Sequence, residues 1–264
     1  MDDAVVARLR AAGCVFAEEE AALLIDAAAG DAGGLEALVA RRVAGEPLET
    51  VVGWAAFAGL RIPVAPGVFV PRRRTELVAR LAIAAAPRGG TVVDLCCGAG
   101  AIAAAVAHAR PDLTAIAADV DPAAVALASR TLAPLGASCL VSDVDAALRH
   151  LDGTVDVVTT CPPYVPTGQI ALMPREARDH EPTRALDGGP DGASLQREVL
   201  RASSRLLRPG GVAIVETSEA LVDLTASAAV DEGLEAAVER DEELGAVVVV
   251  ARRQALTSSD SSRA

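Results

Sequence analysis

Three aspartates, each at the end of an apolar run, have the residue type and spacing that suit nucleotide binding. Asp94 lies in the run TVVDL, Asp119 follows TAIAA, and Asp143 follows SCLVS. If these runs are parallel strands of one sheet, the three carboxylates surround a single crevice at its carboxyl edge. Asp119 then lies where a carboxylate can accept hydrogen bonds from both ribose hydroxyls. Asp143, with Val144 beside it, lies close to the expected position of an adenine ring.

The segment CCGAG (96–100) joins the first of these runs to an Ala-rich helical stretch. A strand, a loop of small residues and a helix in this order let the backbone approach a nucleotide closely. Gly98 and Gly100 fit that pattern, whereas Cys96 stands where the first glycine usually falls. An ordinary tight turn is the alternative for the loop taken alone. The three aspartates favour the cofactor-binding interpretation.

A second candidate for chemistry is the turn TTCPPYVPTG (159–168), which follows another apolar run. Two consecutive prolines can neither continue a strand nor lie inside a helix. We therefore expect the turn to present its carbonyl groups and the ring of Tyr164, the only tyrosine of the chain, into the same crevice.

The elements that must position these residues alternate regularly after residue 90. Strand-like runs lie at 91–95, 114–118, 138–142, 155–160 and 211–216, and helical segments lie at 100–109, 122–133 and 192–207. This alternation predicts an α/β fold with a parallel sheet. The last two runs, 234–241 and 245–252, are joined by a short turn. They predict an antiparallel hairpin that closes the sheet.

The first part of the chain has a different pattern. Residues 18–29 and 34–43 alternate apolar and charged positions near a helical period, and 51–70 consists of short apolar runs broken by Gly and Pro. Thr75 is a candidate N-cap for the next helix. We expect an N-terminal helical domain that recognises the substrate, a connector or hairpin, a main domain and a disordered tail. Their expected bounds are 1–50, 51–74, 75–255 and 256–264.

The composition excludes several classes of protein. The 264 residues carry 36 acidic and 24 basic side chains, a net charge of −12, and every basic residue is arginine. This balance argues against a basic nucleic-acid clamp, because no surplus of cations is left to neutralise phosphates. No apolar run approaches the ~18 residues of a membrane span, and the N-terminus lacks a secretory signal. Five cysteines without the spacing of a zinc site indicate no metal site and a reduced, cytoplasmic protein.

The CPPY turn resembles the (Asn/Asp/Ser)-Pro-Pro-(Tyr/Phe) loop of methyltransferases that act on planar nitrogen atoms. Hydrogen-bond acceptors that hold the N–H groups of an amide or an exocyclic amine can aim its lone pair at the methyl group. Three further stretches are similar to the HemK/PrmC family of protein N(5)-glutamine methyltransferases. They are RRVAGEPLETVVGWAAFAGL (41–60), FVPRRRTELV (69–78) and DHEPTRALDGGPDG (179–192).

This resemblance covers nearly the whole chain and implies a Rossmann-like fold that binds S-adenosylmethionine. It implies a protein substrate, the glutamine of the Gly-Gly-Gln motif in a class I peptide-chain release factor. The implied cofactor site consists of Asp94, Cys96, Gly98, Gly100, Asp119, Asp143, Val144 and Thr75. The implied catalytic residues are Cys161, Pro162, Pro163 and Tyr164. The implied substrate-binding residues are Cys161, Pro162, Tyr164, Glu181 and Pro182. Arg72 and Glu76 match further positions of the connector pattern.

The chain departs from the family pattern at a few positions. Cys161 stands where the family usually has Asn, and a thiol is a much weaker hydrogen-bond acceptor than an amide carbonyl. Loss of one good positioning bond can cost on the order of 10²-fold in rate. Arg73 and Arg74 replace a proline and an acid, and Thr50 replaces an aromatic residue. These changes do not affect the inference of the fold and the cofactor. They concern which substrate the protein takes.

Three alternatives stay open at this point. The same loop can hold the amino group of adenine or guanine in a nucleic-acid methyltransferase, although the net charge disfavours nucleic acid. Cys161 can be a nucleophile if a neighbouring base such as His180 activates it. A degenerate relative that binds S-adenosylmethionine without turnover is the third alternative, and Cys96 and Cys161 both motivate it.

Overall fold

The first four helices form a unit with a core of its own. The computed structural model describes residues 3–146 and 148–255. Its N-terminal helices are α1 (Asp3–Ala11), α2 (Ala17–Ala28), α3 (Ala32–Val43) and α4 (Leu48–Val52). Their buried side chains contact one another and include Val5, Leu9, Ala21, Leu24, Val39 and Val51. The domain boundary predicted at residue 50 falls inside α4, and the tail predicted at 256–264 lies outside the described residues.

The connector is the hairpin that its Gly- and Pro-broken pattern predicts. Strands β1 (Trp54–Phe57) and β2 (Leu60–Pro63) pair antiparallel. Phe57 and Ile62 turn their side chains into the core below the main sheet. The hairpin is therefore packed on the main domain as well as linked to it.

Thr75 does not cap the next helix, which corrects the N-cap prediction. It ends a 3-10 turn, Arg73–Thr75, that runs directly into α5 (Glu76–Ala85). Its backbone is itself helical, with φ −67°, and its side chain makes no hydrogen bond to the backbone of the helix. A cap requires extended backbone, so the hydroxyl of Thr75 is directed elsewhere, to a position 3.9 Å from the Sγ of Cys161.

The main domain is a seven-stranded sheet with helices on both faces, which confirms the α/β prediction. The strands are β3 (Thr91–Leu95), β4 (Thr114–Asp119), β5 (Ser138–Val141), β6 (Val155–Thr160), β7 (Leu207–Thr217), β8 (Leu234–Asp241) and β9 (Ala246–Arg253). The helices are α6 (Ala101–Ala109), α7 (Pro122–Leu132), α8 (Arg175–His180), α9 (Ser194–Leu206) and α10 (Val222–Asp231). The sequence pattern did not indicate α10. It also gave β7 too few residues, because Leu207 pairs with Val155 before a register shift in β6.

The strand order decides where a ligand can bind. The order is β5-β4-β3-β6-β7-β9-β8, with β3 to β7 parallel and the β8–β9 hairpin antiparallel. The chain winds outward from β3 to β5 and then crosses back to β6 on the other side of β3. In such sheets the crevice at the carboxyl ends, where the order reverses, is the ligand-binding position. Here that position lies between the loops that follow β3 and β6.

Small side chains allow α6 and α7 to pack closely behind that crevice. Gly100, at the start of α6, has a φ of +79°, and a Cβ there would lie 3.1 Å from the Cβ of Ala128 on α7. A larger residue would therefore be strained and would push the helices apart. Within the described residues, no helix is both long enough and apolar enough to cross a membrane.

Candidate active site

The loop after β3 is fixed in position by hydrogen bonds to the neighbouring strand, β4. The N–H of Gly98 donates to Oδ2 of Asp119 over 2.8 Å, and the N–H of Cys97 donates to the carbonyl of Ala118 over 3.1 Å. Cys96 has a φ of +55°, in the left-handed region that glycine adopts without strain. Cys96 therefore takes the backbone conformation for which the usual first glycine is suited.

Asp119, at the end of β4, organises the loops on both sides of it. Its Oδ1 accepts a hydrogen bond from the N–H of Asp121 over 2.9 Å, while Oδ2 holds Gly98. Each carboxylate oxygen keeps a second lone pair for a hydroxyl group. Asp121 caps α7 through the N–H of Ala123, and its Oδ2 lies 3.1 Å from Nη2 of Arg184 on the opposite rim.

These elements enclose a first cavity of about 290 Å³, called here the glycine-loop cavity. Six of the eight predicted cofactor residues line it: Thr75, Cys96, Gly98, Asp119, Asp143 and Val144. Asp143 lies in the turn two residues after β5 and accepts a hydrogen bond from the N–H of Ala146 over 2.7 Å. The sequence pattern missed an apolar wall of Phe57, Val68, Phe69 and Pro71, which comes from the hairpin and the chain after it.

Asp94 and Gly100, which the family resemblance also implies for the cofactor site, are not among the residues that line this cavity. Asp94 is 1% exposed and lies beneath the loop. Its carboxylate accepts hydrogen bonds from Oγ1 of Thr159 over 2.9 Å and from the N–H of Ala103 over 3.3 Å. Burial raises the pKa of Asp94 to about 7, against the opposing effect of these two bonds. The residue therefore joins β6 to the start of α6.

The CPPY turn follows β6 and separates the first cavity from a second. This second cavity, of about 430 Å³, is called here the Pro-Pro-Tyr cavity. Cys161 and Pro163 line both cavities, so the turn lies where they meet. Of the predicted substrate residues, Pro162, Tyr164 and Glu181 line the second cavity, whereas Pro182 lines the first.

The turn is clamped by the Gly-rich end of the segment 179–192. The N–H of Val165 donates to the carbonyl of Leu186 over 2.9 Å, and the N–H of Gly188 donates to the carbonyl of Val165 over 2.8 Å. A Cβ on Gly188 would lie 2.7 Å from the Cα of Tyr164. This close backbone approach is a physical reason for the DGGPDG sequence, which the pattern alone did not explain.

Two buried carboxylates pair with arginines of the connector: Glu181, which lines the Pro-Pro-Tyr cavity, and Glu216, which is not in its lining. Oε1 of Glu181 lies 2.6 Å from Nη2 of Arg72, and Oε1 of Glu216 lies 3.1 Å from Nε of Arg74. The hydroxyl of Tyr164 donates to the same Glu216 oxygen over 3.0 Å. Of the three adjacent arginines 72–74, Arg72 and Arg74 are thus part of the site. Glu216 is a residue that the sequence pattern missed. Its only signal was an acid at the end of the apolar run GVAIVE.

The geometry argues against Cys161 as a nucleophile. Desolvation and the nearby charge of Glu216 hold the pKa of the Cys161 thiol well above its usual value, and the charge of Arg74 opposes them only in part. His180, the base considered for it, lies instead beside Gly45 of the N-terminal unit. The thiolate that a nucleophilic mechanism needs is therefore disfavoured.

The remaining cysteines and charged residues form no metal site among residues 3–146 and 148–255. Cys97 does not pair with its neighbour Cys96. Its Sγ lies 3.7 Å from the Sγ of Cys139 on β5, at the back of the glycine-loop cavity. Both are free thiols.

Comparisons with known proteins agree with this geometry. A family model described as "Methyltransferase small domain" matches residues 60–177. The chain is 42% identical over 201 residues to a release factor glutamine methyltransferase of Mycolicibacterium smegmatis, covering 75% of this chain and 71% of that one. It is 42% identical over 186 residues to a protein of the same name from Streptomyces coelicolor, covering 69% and 66%.

A relative with another substrate in its name is about as similar. The chain is 42% identical over 185 residues to a 4-amino-L-phenylalanine/4-methylamino-L-phenylalanine methyltransferase of Streptomyces pristinaespiralis, covering 67% of this chain and 63% of that one. The relatives are therefore methyltransferases named for different substrates.

Proposed function

The chain belongs to the release factor glutamine methyltransferase family, and from that premise we propose that it methylates the side-chain amide nitrogen of a glutamine in a peptide-chain release factor. S-adenosylmethionine is the methyl donor, and its role is to supply an electrophilic methyl group. The observation that carries the proposal is the position of Cys161 and Pro163, which line both cavities. A donor in one cavity and an acceptor in the other would meet at this turn.

The glycine-loop cavity fits the proposed cofactor. Gly98 and Asp119 provide a close backbone and a fixed carboxylate for a ribose, Asp143 provides a polar group near the adenine, and the hairpin provides an apolar wall. The volume of about 290 Å³ is near the lower end of the range for small-molecule sites. Asp94 would act through the loop rather than on the cofactor.

The Pro-Pro-Tyr cavity would hold the glutamine amide. Carbonyl groups of the turn would accept its N–H groups, and the Tyr164 ring would lie against its planar face. Catalysis of this kind depends on orientation and on polarisation of the amide. Because Cys161 is a weak acceptor, the backbone and the ring would carry more of the orientation here than in relatives with Asn.

We propose that the N-terminal helical unit recognises the protein substrate. It is joined to the acceptor side of the site by Arg42 on α3, whose Nε lies 2.6 Å from Oε2 of Glu20 and whose Nη1 lies 3.1 Å from Oε2 of Glu176. Glu176, on α8, lines the Pro-Pro-Tyr cavity. A release factor bound to these helices would reach the cavity directly, and its role in translation would place the reaction in the cytoplasm.

Transfer of a radiolabelled methyl group tests this function. The enzyme is incubated with labelled S-adenosylmethionine and a purified class I release factor, either natural or with the Gly-Gly-Gln glutamine replaced by alanine. We expect label in the natural factor only, located on the glutamine by mass spectrometry. Label in both factors, or in neither, would contradict the proposal.

An aromatic amine is the second candidate acceptor. Cys161 lacks the carbonyl that suits an amide, and a relative of equal identity is a 4-amino-L-phenylalanine methyltransferase. The same assay with 4-amino-L-phenylalanine separates the two acceptors. RNA and DNA are tested beside them, and binding of S-adenosylmethionine without transfer to any of these would favour a non-catalytic relative.

A further inference from the structure

The buried carboxylate of Glu216 lies next to the reaction site and has no part in the proposed function. Glu216 lies at the end of β7 and its side chain is fully buried. The register pairs Val215 of β7 with Thr160 of β6, so Glu216 lies level with Cys161. Its Oε1 accepts hydrogen bonds from the hydroxyl of Tyr164 and from Nε of Arg74. Its Oε2 has no hydrogen-bond partner among the described residues.

We propose that Glu216 and Arg74 are positioning residues that hold the Tyr164 ring against the acceptor and so determine how tightly the acceptor binds. The inference rests on the proposed function in one respect, that the Pro-Pro-Tyr cavity takes the acceptor. Neither residue has a predicted role in the cofactor site, and neither lines the glycine-loop cavity.

The charge balance shows why Arg74 belongs to this unit. A carboxylate removed from water is costly unless a cation and hydrogen bonds compensate it. Within the described residues, Arg74 is the cation that forms an ion pair with Glu216. An acid at position 74, as in the family pattern, would place a second negative charge beside this carboxylate. Compared with an acid at this position, Arg74 therefore places a positive charge instead of a negative one on the acceptor side of the site.

The contact with Tyr164 connects this charge pair to the acceptor. The hydroxyl bond fixes one end of the ring, and the Arg74 guanidinium lies 6.0 Å from the ring centroid, at the outer limit of a cation–π contact. Burial and the Glu216 charge raise the pKa of the Tyr164 hydroxyl, so it stays a hydrogen-bond donor. Because Cys161 is a weak acceptor, orienting a planar acceptor group depends more strongly on a fixed Tyr164 ring.

Steady-state kinetics of matched variants test the proposal with the release factor as acceptor. Tyr164→Phe keeps the ring and removes the hydroxyl, and Glu216→Gln keeps the shape and removes the charge. Loss of one such bond, worth about 1.4 kcal/mol, corresponds to a roughly tenfold rise in the acceptor KM. We expect that rise in Tyr164→Phe and a smaller one in Glu216→Gln, whose amide carbonyl still accepts from the hydroxyl but without the negative charge. The kcat and the Kd of S-adenosylmethionine should change little in either variant. The double variant should be little weaker than Tyr164→Phe alone, because Glu216 acts on the acceptor through the Tyr164 hydroxyl, which Tyr164→Phe has already removed.

The arginines offer a matched control. Arg73 is exposed and lines neither cavity, whereas Arg74 contacts Glu216. Arg74→Gln should raise the acceptor KM, and Arg73→Gln should leave it unchanged. Equal effects of the two substitutions, or additive effects of Tyr164→Phe and Glu216→Gln, would overturn the proposal.

A spectroscopic measurement separates this proposal from the proposed function. Tyr164 is the only tyrosine, so protein labelled with ¹³C at the tyrosine Cζ gives a single resonance. That resonance should shift in Glu216→Gln and Arg74→Gln and stay in place in Arg73→Gln. An unshifted resonance in an enzyme that methylates release factor would overturn the positioning unit alone. A shifted resonance in an enzyme that methylates no release factor would overturn the proposed function, and the acceptor role with it.

Discussion

The glycine-loop cavity and the Pro-Pro-Tyr cavity meet at Cys161 but are built in different ways. The first is made by successive strand-to-helix turns, whose backbone groups bond to acids on the next strand, as Gly98 does to Asp119. The second is made by side chains from distant segments, such as Arg72 with Glu181 and Arg74 with Glu216. The departure from the family pattern at Arg74 lies on the second side, and the one at Cys161 lies where the two cavities meet.

This difference indicates that the two halves of the site can change separately. Backbone-built cofactor sites depend on the fold and tolerate few changes, whereas side-chain pairs on a rim can be exchanged without altering the sheet. We therefore expect changes in the first cavity to act on cofactor affinity and changes in the second to act on the acceptor. Four experiments test that separation.

The largest effect is expected from Asp119→Ala. The substitution removes the partner of the Gly98 and Asp121 N–H groups and the proposed ribose ligand. Loss of charge-assisted bonds of this kind, about 2.7 kcal/mol, predicts a rise of about 100-fold in the Kd of S-adenosylmethionine. Isothermal titration calorimetry measures it. Tyr164→Phe, on the other side, is the control and should bind the cofactor as the wild type does.

The next effect concerns the free energy of unfolding of the protein and how it depends on pH. The pKa of Asp94 is raised from 3.8 to about 7 in the folded state. A raised acid pKa contributes stability below the unfolded pKa, and this contribution is lost as the pH rises through 7. The free energy of unfolding of the wild type, relative to Asp94→Asn, should therefore fall by about 2 kcal/mol between pH 5 and pH 7.

Urea unfolding of both proteins at several pH values measures this difference. Parallel pH profiles of the wild type and Asp94→Asn would show that Asp94 ionises as it does in the unfolded chain. The buried position of Asp94 under the loop would then need another explanation.

A smaller effect, on the acceptor side, is expected from Cys161→Asn. The amide carbonyl of Asn restores a strong acceptor beside Tyr164, and one added hydrogen bond of about 1.4 kcal/mol predicts a tenfold rise in kcat/KM for the glutamine. The Kd of S-adenosylmethionine should not change. Methyl transfer to release factor measures the effect. A loss of activity would mean instead that the thiol belongs to a site adapted to another acceptor.

The smallest effect is expected from Asp143→Asn. Asp143 lines the glycine-loop cavity but lies in an exposed turn, where solvent weakens its contribution. We expect a rise of about threefold in the Kd of S-adenosylmethionine, consistent with less than 1 kcal/mol. Asp145→Asn, two residues along the same turn and outside the cavity lining, is the matched control. A larger loss in the control would show that the turn itself, and not the Asp143 carboxylate, is what the cofactor needs.

The sequence predicted the strands, and most of the predicted cofactor residues line the first cavity, because these features are local. Alternating apolar runs and helical segments predicted β3 to β9 to within a few residues, except for the longer β7. The positions of Asp119 and Gly98 at the cavity follow directly from where β4 and β3 end. Asp94 was assigned to the cavity for the same reason, but its side chain points below the loop to Thr159. Strand position does not reveal the face to which a terminal residue is directed.

The acceptor side could be predicted only in part. The CPPY turn was visible as a motif, and Glu181 came from the resemblance to the family. The function of the arginine cluster was not visible, because adjacent arginines differ only in what they contact. Arg73 is exposed, Arg72 pairs with Glu181, and Arg74 pairs with Glu216. Thr75 was assigned as a cap because its neighbours resemble a helix start, whereas a preceding 3-10 turn had made a cap unnecessary.

The sequence by itself determined the α/β fold, the glycine loop and the Pro-Pro-Tyr turn. These features depend on residue type and short-range spacing, which the order of residues states directly. Only the tertiary structure decided that Tyr164 and Arg74 share the carboxylate of Glu216, across 52 and 142 residues of chain. The physical reason is that a buried charge takes whichever partners packing brings to it, and packing is settled by the whole sheet.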